Sequence, residues 1–522
     1  MDFLIHHMLQ TSASLHPEKE ALVFRSERFT YREVVERVSG LAAGLKNAGL
    51  QSGDRVGIYL DPSIPQVFSI YAVSQAGGVF VPINPLLFPN QVSHIMNDCG
   101  MKALITTNAR LSTLVDKLKD NHSVKFLVVL DEGARPSVSL PLYGFDAMCQ
   151  ESPRDNQELR IGNDLAAILY TSGSTGKAKG VLLTHAQIIA GTSIVSLYLE
   201  ITEADRILAI LPFSFDAGLN QLMCSFQQGS TLILKTFVFA NEIFKTLEKE
   251  QVTGLAGVPT FWSLIAQHIM KSRQPNGSSL RYITNTGGAM PQTVLQDLRK
   301  WVPHTKIYLM YGLTEAFRST YLPPEELDRR PTSIGKAIPN TEILVINDQG
   351  QRCKAGEVGE LVHRGPTVSL GYWGQPSLTA SVLKPHPFLP AELGSNEKVC
   401  YSGDLVKTDE EGFLYFVGRR DTMIKSSGFR ISPTEVEEIL LQNEKVLTAA
   451  VIGIPDPVIG QWVKGFVVFK EGEAVQGDEL RGWCAKYLPN YMIPKIIEIL
   501  KEMPKTPNGK IDYPSLRQRE GV

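Results

Sequence analysis

Two hydrophobic periods alternate over the first 160 or so residues. Residues 31–45 carry apolar side chains at helical spacing, and 55–60 read as a strand. Residues 65–76 form the next predicted helix, with Pro65 suited to its first turn. Apolar runs at 78–83, 103–106 and 126–130 predict further strands. The alternation implies βαβ units and a largely parallel sheet. It resumes with a strand at 207–211, a helix at 239–250 and a short strand at 254–258. Between 334 and 415 the pattern changes to short strands and Gly-rich turns, which predicts a compact β subdomain. A last segment starts afresh, with helices at 433–442 and 477–488 and strands at 449–454 and 465–469. It has enough apolar positions for its own α+β core of about 100 residues. The expected fold is α/β: a large N-terminal domain, 1–420, and a small mobile α+β C-terminal domain, 421–522.

One interruption of this pattern carries chemistry. The apolar run 165–170 reads as a strand leading into Tyr170-Thr171-Ser172-Gly173-Ser174-Thr175-Gly176-Lys177-Ala178-Lys179-Gly180-Val181, and 181–183 as a strand leading out. Seven of these twelve residues are Gly, Ser or Thr. Such a loop offers many N–H and hydroxyl donors at once, and Lys177 and Lys179 add positive charge, which suits phosphate oxygens. The spacing is not that of a Walker A loop.

Composition narrows the field. The 522 residues are 43% hydrophobic and 20% charged, as in a folded globular protein. A net charge of −2 gives no global attraction to nucleic acid or anionic membranes, so phosphate recognition must be local. The six cysteines lie far apart with no C-x-x-C pair, which argues against zinc ribbons and a disulfide framework. The N-terminus lacks the basic flank and apolar core of a signal peptide, and no apolar run approaches the ~20 residues of a membrane span. A cytoplasmic enzyme is expected.

Further segments complete a set: Asn285-Thr286-Gly287-Gly288-Ala289, Tyr308-Leu309-Met310-Tyr311-Gly312-Leu313-Thr314-Glu315, Tyr401-Ser402-Gly403-Asp404, Gly418-Arg419-Arg420-Asp421, Ser427-Gly428-Phe429-Arg430 and Pro507-Asn508-Gly509-Lys510-Ile511. In this order, with the Gly/Ser/Thr loop, they resemble the adenylate-forming superfamily of acyl-CoA synthetases, luciferases and amino-acid adenylation domains. The resemblance spans essentially the whole chain. It implies that a carboxylic acid is joined to AMP with loss of pyrophosphate, and that the acyl group then passes to a thiol. It implies ATP and Mg2+, with CoA or carrier-protein phosphopantetheine as acceptor.

The resemblance also implies roles for individual residues. Ser172, Ser174, Thr175 and Lys179 would hold the β- and γ-phosphates, with Thr171 and Gly176 also in the nucleotide site. Thr314 would touch the α-phosphate and Glu315 would bind Mg2+. Tyr311 with Gly312 would lie against adenine, beside Gly287, Gly288 and Ala289. Asp404 and Arg419 would take the ribose, and Lys510 would bridge the acyl carboxylate and α-phosphate. Asp421 would be the hinge of the small domain, with Gly428 and Arg430 serving thioester formation. Ala178 departs from the proline usual before that lysine; the loop loses a fixed φ but no phosphate donor.

The acid pocket is expected around Phe215, Asp216, Asn220 and Arg318. In amino-acid adenylation domains an aspartate at the position of Asp216 grips the substrate ammonium. Arg318 could instead neutralise Asp216, or bind a second carboxylate on the acid. Leu313, and the run 425–437, resemble CoA ligases more than amino-acid domains. No carrier segment follows Val522 in this sequence, so pantetheine is expected on CoA or on a separate acyl or peptidyl carrier protein. The leading reading is an AMP-forming acyl-CoA ligase for a small or polar carboxylic acid; the alternatives are a stand-alone amino-acid adenylation enzyme and a nucleotide-binding module without ligase activity.

Overall fold

The N-terminal apolar runs become a seven-stranded sheet. Its spatial order is Leu142–Gly144, Phe126–Val129, Ala103–Thr106, Arg55–Ile58, Val79–Pro82, Leu165–Thr171, Lys179–Thr184. All neighbours are parallel except the last pair. Val79–Pro82, Ala103–Thr106 and Phe126–Val129 are buried along their whole length, as parallel strands covered on both faces must be. The computed structural model describes residues 2–522 except 132, 134–135, 153–159, 172–177, 237–238, 272–276, 278, 395–396, 421, 427–428, 457–458 and 508, and the backbone alone at 271, 391, 394, 425, 429 and 430.

A second sheet of nine strands has six parallel central members, in the order Lys306–Tyr311, Tyr282–Asn285, Gly254–Gly257, Arg206–Ala209, Thr231–Leu234, Glu20–Phe24. The main core includes residues of both sheets. Val56 and Phe80 of the first and Leu22 and Ile207 of the second join one buried cluster with Tyr71 and Phe226, whose rings stack at 5.2 Å. The predicted strand at 207–211 ends at Ala209, because Leu211 and Pro212 leave the sheet toward the Asp216–Gln227 helix. The expected β subdomain is an antiparallel sheet of Glu342–Ile346, Gly359–Arg364, Lys398–Thr408, Leu383–Pro385 and Leu414–Arg419.

From Ile424 onward the chain builds a fourth sheet with its own core, which includes Val436, Leu440, Val451, Val467 and Leu480. The molecule is thus a mixed α/β protein with a large N-terminal and a small C-terminal domain. Three elements differ from expectation here, the strand predicted at 449–454 running Val446–Asp456. The strand predicted at 465–469 begins at Gly460, because it is one arm of a long hairpin with Val446–Asp456 that starts at the Asp456–Gly460 pair. The helix predicted to 488 ends at Cys484, whose carbonyl accepts the N–H groups of both Tyr487 and Leu488 and so tightens the chain ahead of Pro489. All six cysteines are unpaired. Among the described residues no helix is long and apolar enough to cross a membrane.

A buried carboxyl couples the small domain to pH. Glu437, on the Pro433–Leu441 helix, accepts the Tyr513 hydroxyl and the Val451 N–H on one oxygen, both at 2.8 Å. Burial pushes its pKa from 4.5 up to about 7. Between those values the unfolded chain releases a proton that the fold retains, so stability falls as pH rises through the window. The loss is complete above it, on the order of 3 kcal/mol. Glu437→Gln is expected to raise the thermal midpoint at pH 8, with the gain gone at pH 4.5. An equal gain at both pH values would refute the titration.

Candidate active site

Four adjacent parallel strands of the nine-stranded sheet release their C-terminal ends on one side. Chain leaving Arg206–Ala209 reaches Phe215 and Asp216, chain leaving Gly254–Gly257 reaches Thr260, and chain leaving Tyr282–Asn285 supplies Gly287, Gly288 and Ala289. Chain leaving Lys306–Tyr311 supplies Tyr311 to Arg318. This is where open α/β sheets bind ligands, because loops diverge there and leave a crevice. Asn285 donates to the Gly288 carbonyl at 2.9 Å and fixes the glycine turn.

The β subdomain faces the same crevice. Asp404 and Arg419 are cross-strand partners, with Nε to Oδ1 at 3.3 Å. The Tyr311 hydroxyl donates to the other Asp404 oxygen at 2.5 Å. Burial, and then the Asp404 charge, raise the Tyr311 phenol well above its ordinary pKa, so it remains a donor. Tyr311 is therefore anchored by its hydroxyl edge to the Asp404 carboxylate.

Glu315 meets the exit of the Gly/Ser/Thr loop through a residue that motif reading does not single out. The Tyr372 hydroxyl donates to Glu315 Oε1 at 2.6 Å, and Lys179 Nζ stands 5.7 Å from the Tyr372 ring centroid. Burial, then the Glu315 charge, hold the Tyr372 phenol protonated. Lys179 pairs with Thr171 across the two strands that bracket the loop. The only local signal for Tyr372 is its place in Gly371-Tyr372-Trp373-Gly374, an aromatic pair between glycines. Ser172, Ser174, Thr175, Gly176, Asp421 and Gly428 lie outside the described residues. The backbone of Arg430 runs in the Phe429–Ile431 strand.

Lys510 enters this crevice from the small domain. Its Nζ lies 5.2 Å from the Phe215 ring centroid. Gly287, at φ +80°, leaves room for it, since an added Cβ would stand 3.0 Å from Lys510 Cε and 3.6 Å from its Nζ. Phe215 thus faces the lysine and is not among the residues lining the neighbouring cavity.

That cavity, of about 30 Å³, is lined by Val195, Asn220, Cys224, Thr286, Met310 and Arg318, among others. It has room for about two waters. Arg318 Nη1 and Asp216 Oδ2 are 3.8 Å apart, and each side chain is 5% exposed. Asp216 Oδ1 accepts the Ala217 N–H at 2.8 Å. Arg318 Nε and Asn220 Nδ2 are buried with no hydrogen-bond partner among the described residues. Phe317 holds φ +54°, a strained value for a bulky residue, and its fully buried ring packs against Gly191. That turn places Arg318 in the cavity wall.

Comparison with known proteins gives the family. Residues 9–373 match the AMP-binding enzyme family and 435–510 match the AMP-binding enzyme C-terminal domain. The chain is similar to a feruloyl-CoA synthase of Amycolatopsis, 33% identical over 98% of this chain and 97% of the relative. It is also similar to a long-chain-fatty-acid–CoA ligase of Bacillus subtilis, 31% identical over 97% and 93%. An anthranilate CoA ligase solved with anthranoyl-AMP superposes with a TM-score of 0.89 at 25% identity, covering 99% of this chain and 97% of that one. An o-succinylbenzoate CoA synthetase of Bacillus subtilis, solved with ATP and magnesium ion, gives 0.82 at 27%, covering 98% and 99%. The chain belongs to the AMP-binding enzyme family and is an AMP-forming acid–thiol ligase of the acyl-CoA synthetase type.

Proposed function

We propose that this ligase adenylates a short carboxylic acid bearing a hydrogen-bond acceptor away from the reacting carboxylate, then passes the acyl group to CoA. The observation that carries the reading is a pair of buried donors without a partner among the described residues, Arg318 Nε and Asn220 Nδ2, on residues lining the cavity. A hydroxyl, keto or second carboxylate oxygen would satisfy them. An unsubstituted alkyl chain would leave each unpaired, at about 1–3 kcal/mol. Asp216 is already engaged by the Ala217 N–H and faces Arg318, which supports a neutralised pair over an ammonium receptor.

The remaining roles follow from charge. Adenylation brings a carboxylate against a phosphate, so the site must neutralise and align two anions. Lys510, held over Phe215 beside Gly287, bridges the two. Thr314 meets the α-phosphate, and Lys179, with Ser172, Ser174, Thr175 and Gly176, takes the β- and γ-phosphates. Glu315 has one oxygen committed to Tyr372, and its other is a hard donor fitted to Mg2+. Asp404 and Arg419 hold the ribose beside Tyr311. Asp421 serves as hinge at the junction of 1–420 and 421–522, with Gly428 and Arg430 on the pantetheine path. Six unpaired thiols favour a cytoplasmic location.

The test is pyrophosphate exchange across fatty, aromatic, amino, hydroxy and dicarboxylic acids, followed by acyl transfer to CoA and to a carrier protein. Acceptor-bearing acids are expected to exceed alkyl acids of equal length by at least about tenfold in kcat/KM, with CoA as acceptor. Exchange confined to α-amino acids, and lost in Asp216→Ala, would refute this reading in favour of amino-acid adenylation.

A further inference from the structure

Three hydrogen bonds tie Gly509 and Lys510 to Thr506. Gly509 N–H donates to the Thr506 carbonyl at 2.9 Å, Thr506 N–H to the Lys510 carbonyl at 2.7 Å, and Lys510 N–H to Thr506 Oγ1 at 3.2 Å. Lys505 and Ile511 close it as a bridge. Whatever holds Gly509 therefore holds Lys510. The Thr260 hydroxyl, on the first turn of the Pro259–Lys271 helix in the large domain, donates to the Gly509 carbonyl at 3.0 Å. Gly509 has φ +78°, and an added Cβ there would stand 3.8 Å from Thr260 Oγ1 and Val258 Cγ2. The turn thus packs directly against chain leaving the Gly254–Gly257 strand, while its lysine reaches Phe215 and Gly287.

We infer that Thr260 is a positioning residue for the adenylation half-reaction, a latch that seats the Lys510 turn on the large domain. The inference rests on the proposed role of Lys510. Withdrawal of Lys510 for thioester formation breaks the Thr260 bond. A contact made in only one of two poses shifts their populations by its own free energy and leaves the chemistry of each pose unaltered. One net hydrogen bond corresponds to about a three- to tenfold shift.

Thr260→Val keeps the side-chain shape and removes the donor. It is expected to lower the kcat of pyrophosphate exchange about three- to tenfold with KM for ATP unchanged. Thioester formation from supplied acyl-AMP and CoA should hold or rise. Thr260→Ser, which restores a hydroxyl, should recover exchange. Wild-type exchange in Thr260→Val, an equal fall in both half-reactions, or failure of Ser to rescue would overturn the latch. Lys510→Ala separates the two layers. If that variant retains exchange, the Lys510 role fails and the latch with it; if it loses exchange while Thr260→Val keeps it, the latch alone fails.

Discussion

Lys510→Ala is expected to lower pyrophosphate exchange by on the order of 10²–10³-fold while sparing thioester formation from supplied acyl-AMP. The magnitude follows from removing one preorganised cation from a site where two anions must meet. The asymmetry follows from geometry, because Lys510 belongs to the small domain and reaches the crevice through one turn pinned by Thr260 and seated against Phe215 and Gly287. Once acyl-AMP exists, that neutralisation is no longer required. Separate assays of the two half-reactions decide the matter, and equal losses in both would refute the assignment.

Arg318→Leu is expected to destabilise the large domain by about 3–5 kcal/mol, because it strands Asp216 as an uncompensated buried charge. Denaturant unfolding measures this directly. Replacing both partners, as in Asp216→Leu with Arg318→Met, should return most of the stability, since an apolar pair carries no desolvation penalty. The same double variant should lose its preference for acceptor-bearing acids. A single variant as stable as wild type, with its acid preference intact, would show that the pair neither holds the pocket nor reads the acid.

Much of the site is legible in the sequence because adenylation needs local chemistry. A stretch with seven Gly, Ser or Thr in twelve residues, and two lysines among them, has a phosphate reading from composition alone. Glu315, Asp404 and Lys510 stand out because each lies in a short motif whose order along the chain is specific. Tyr372, marked only by an aromatic pair between glycines, and Thr260 do not; each matters through a hydrogen bond to a residue distant in sequence. Strand limits fail for a similar reason. Gly460 joins its strand because Asp456 lies opposite, and only the hairpin pairing determines that register.

By itself the sequence determined the alternation of helices and strands and, through ordered motifs that resemble the adenylate-forming superfamily, the class of chemistry. The alternation depends on spacing within short windows, and the class on the order of short motifs along the whole chain. The tertiary structure alone decided what the cavity beside Arg318 presents and how Lys510 is seated. Arg318 and Asp216 were open alternatives until their 3.8 Å separation and burial placed them together and left Arg318 Nε without a partner among the described residues. The reason is physical. The worth of a charge or a donor depends on its distance to partners and its exclusion from water, and both arise only when four strand ends and a second domain converge on one crevice.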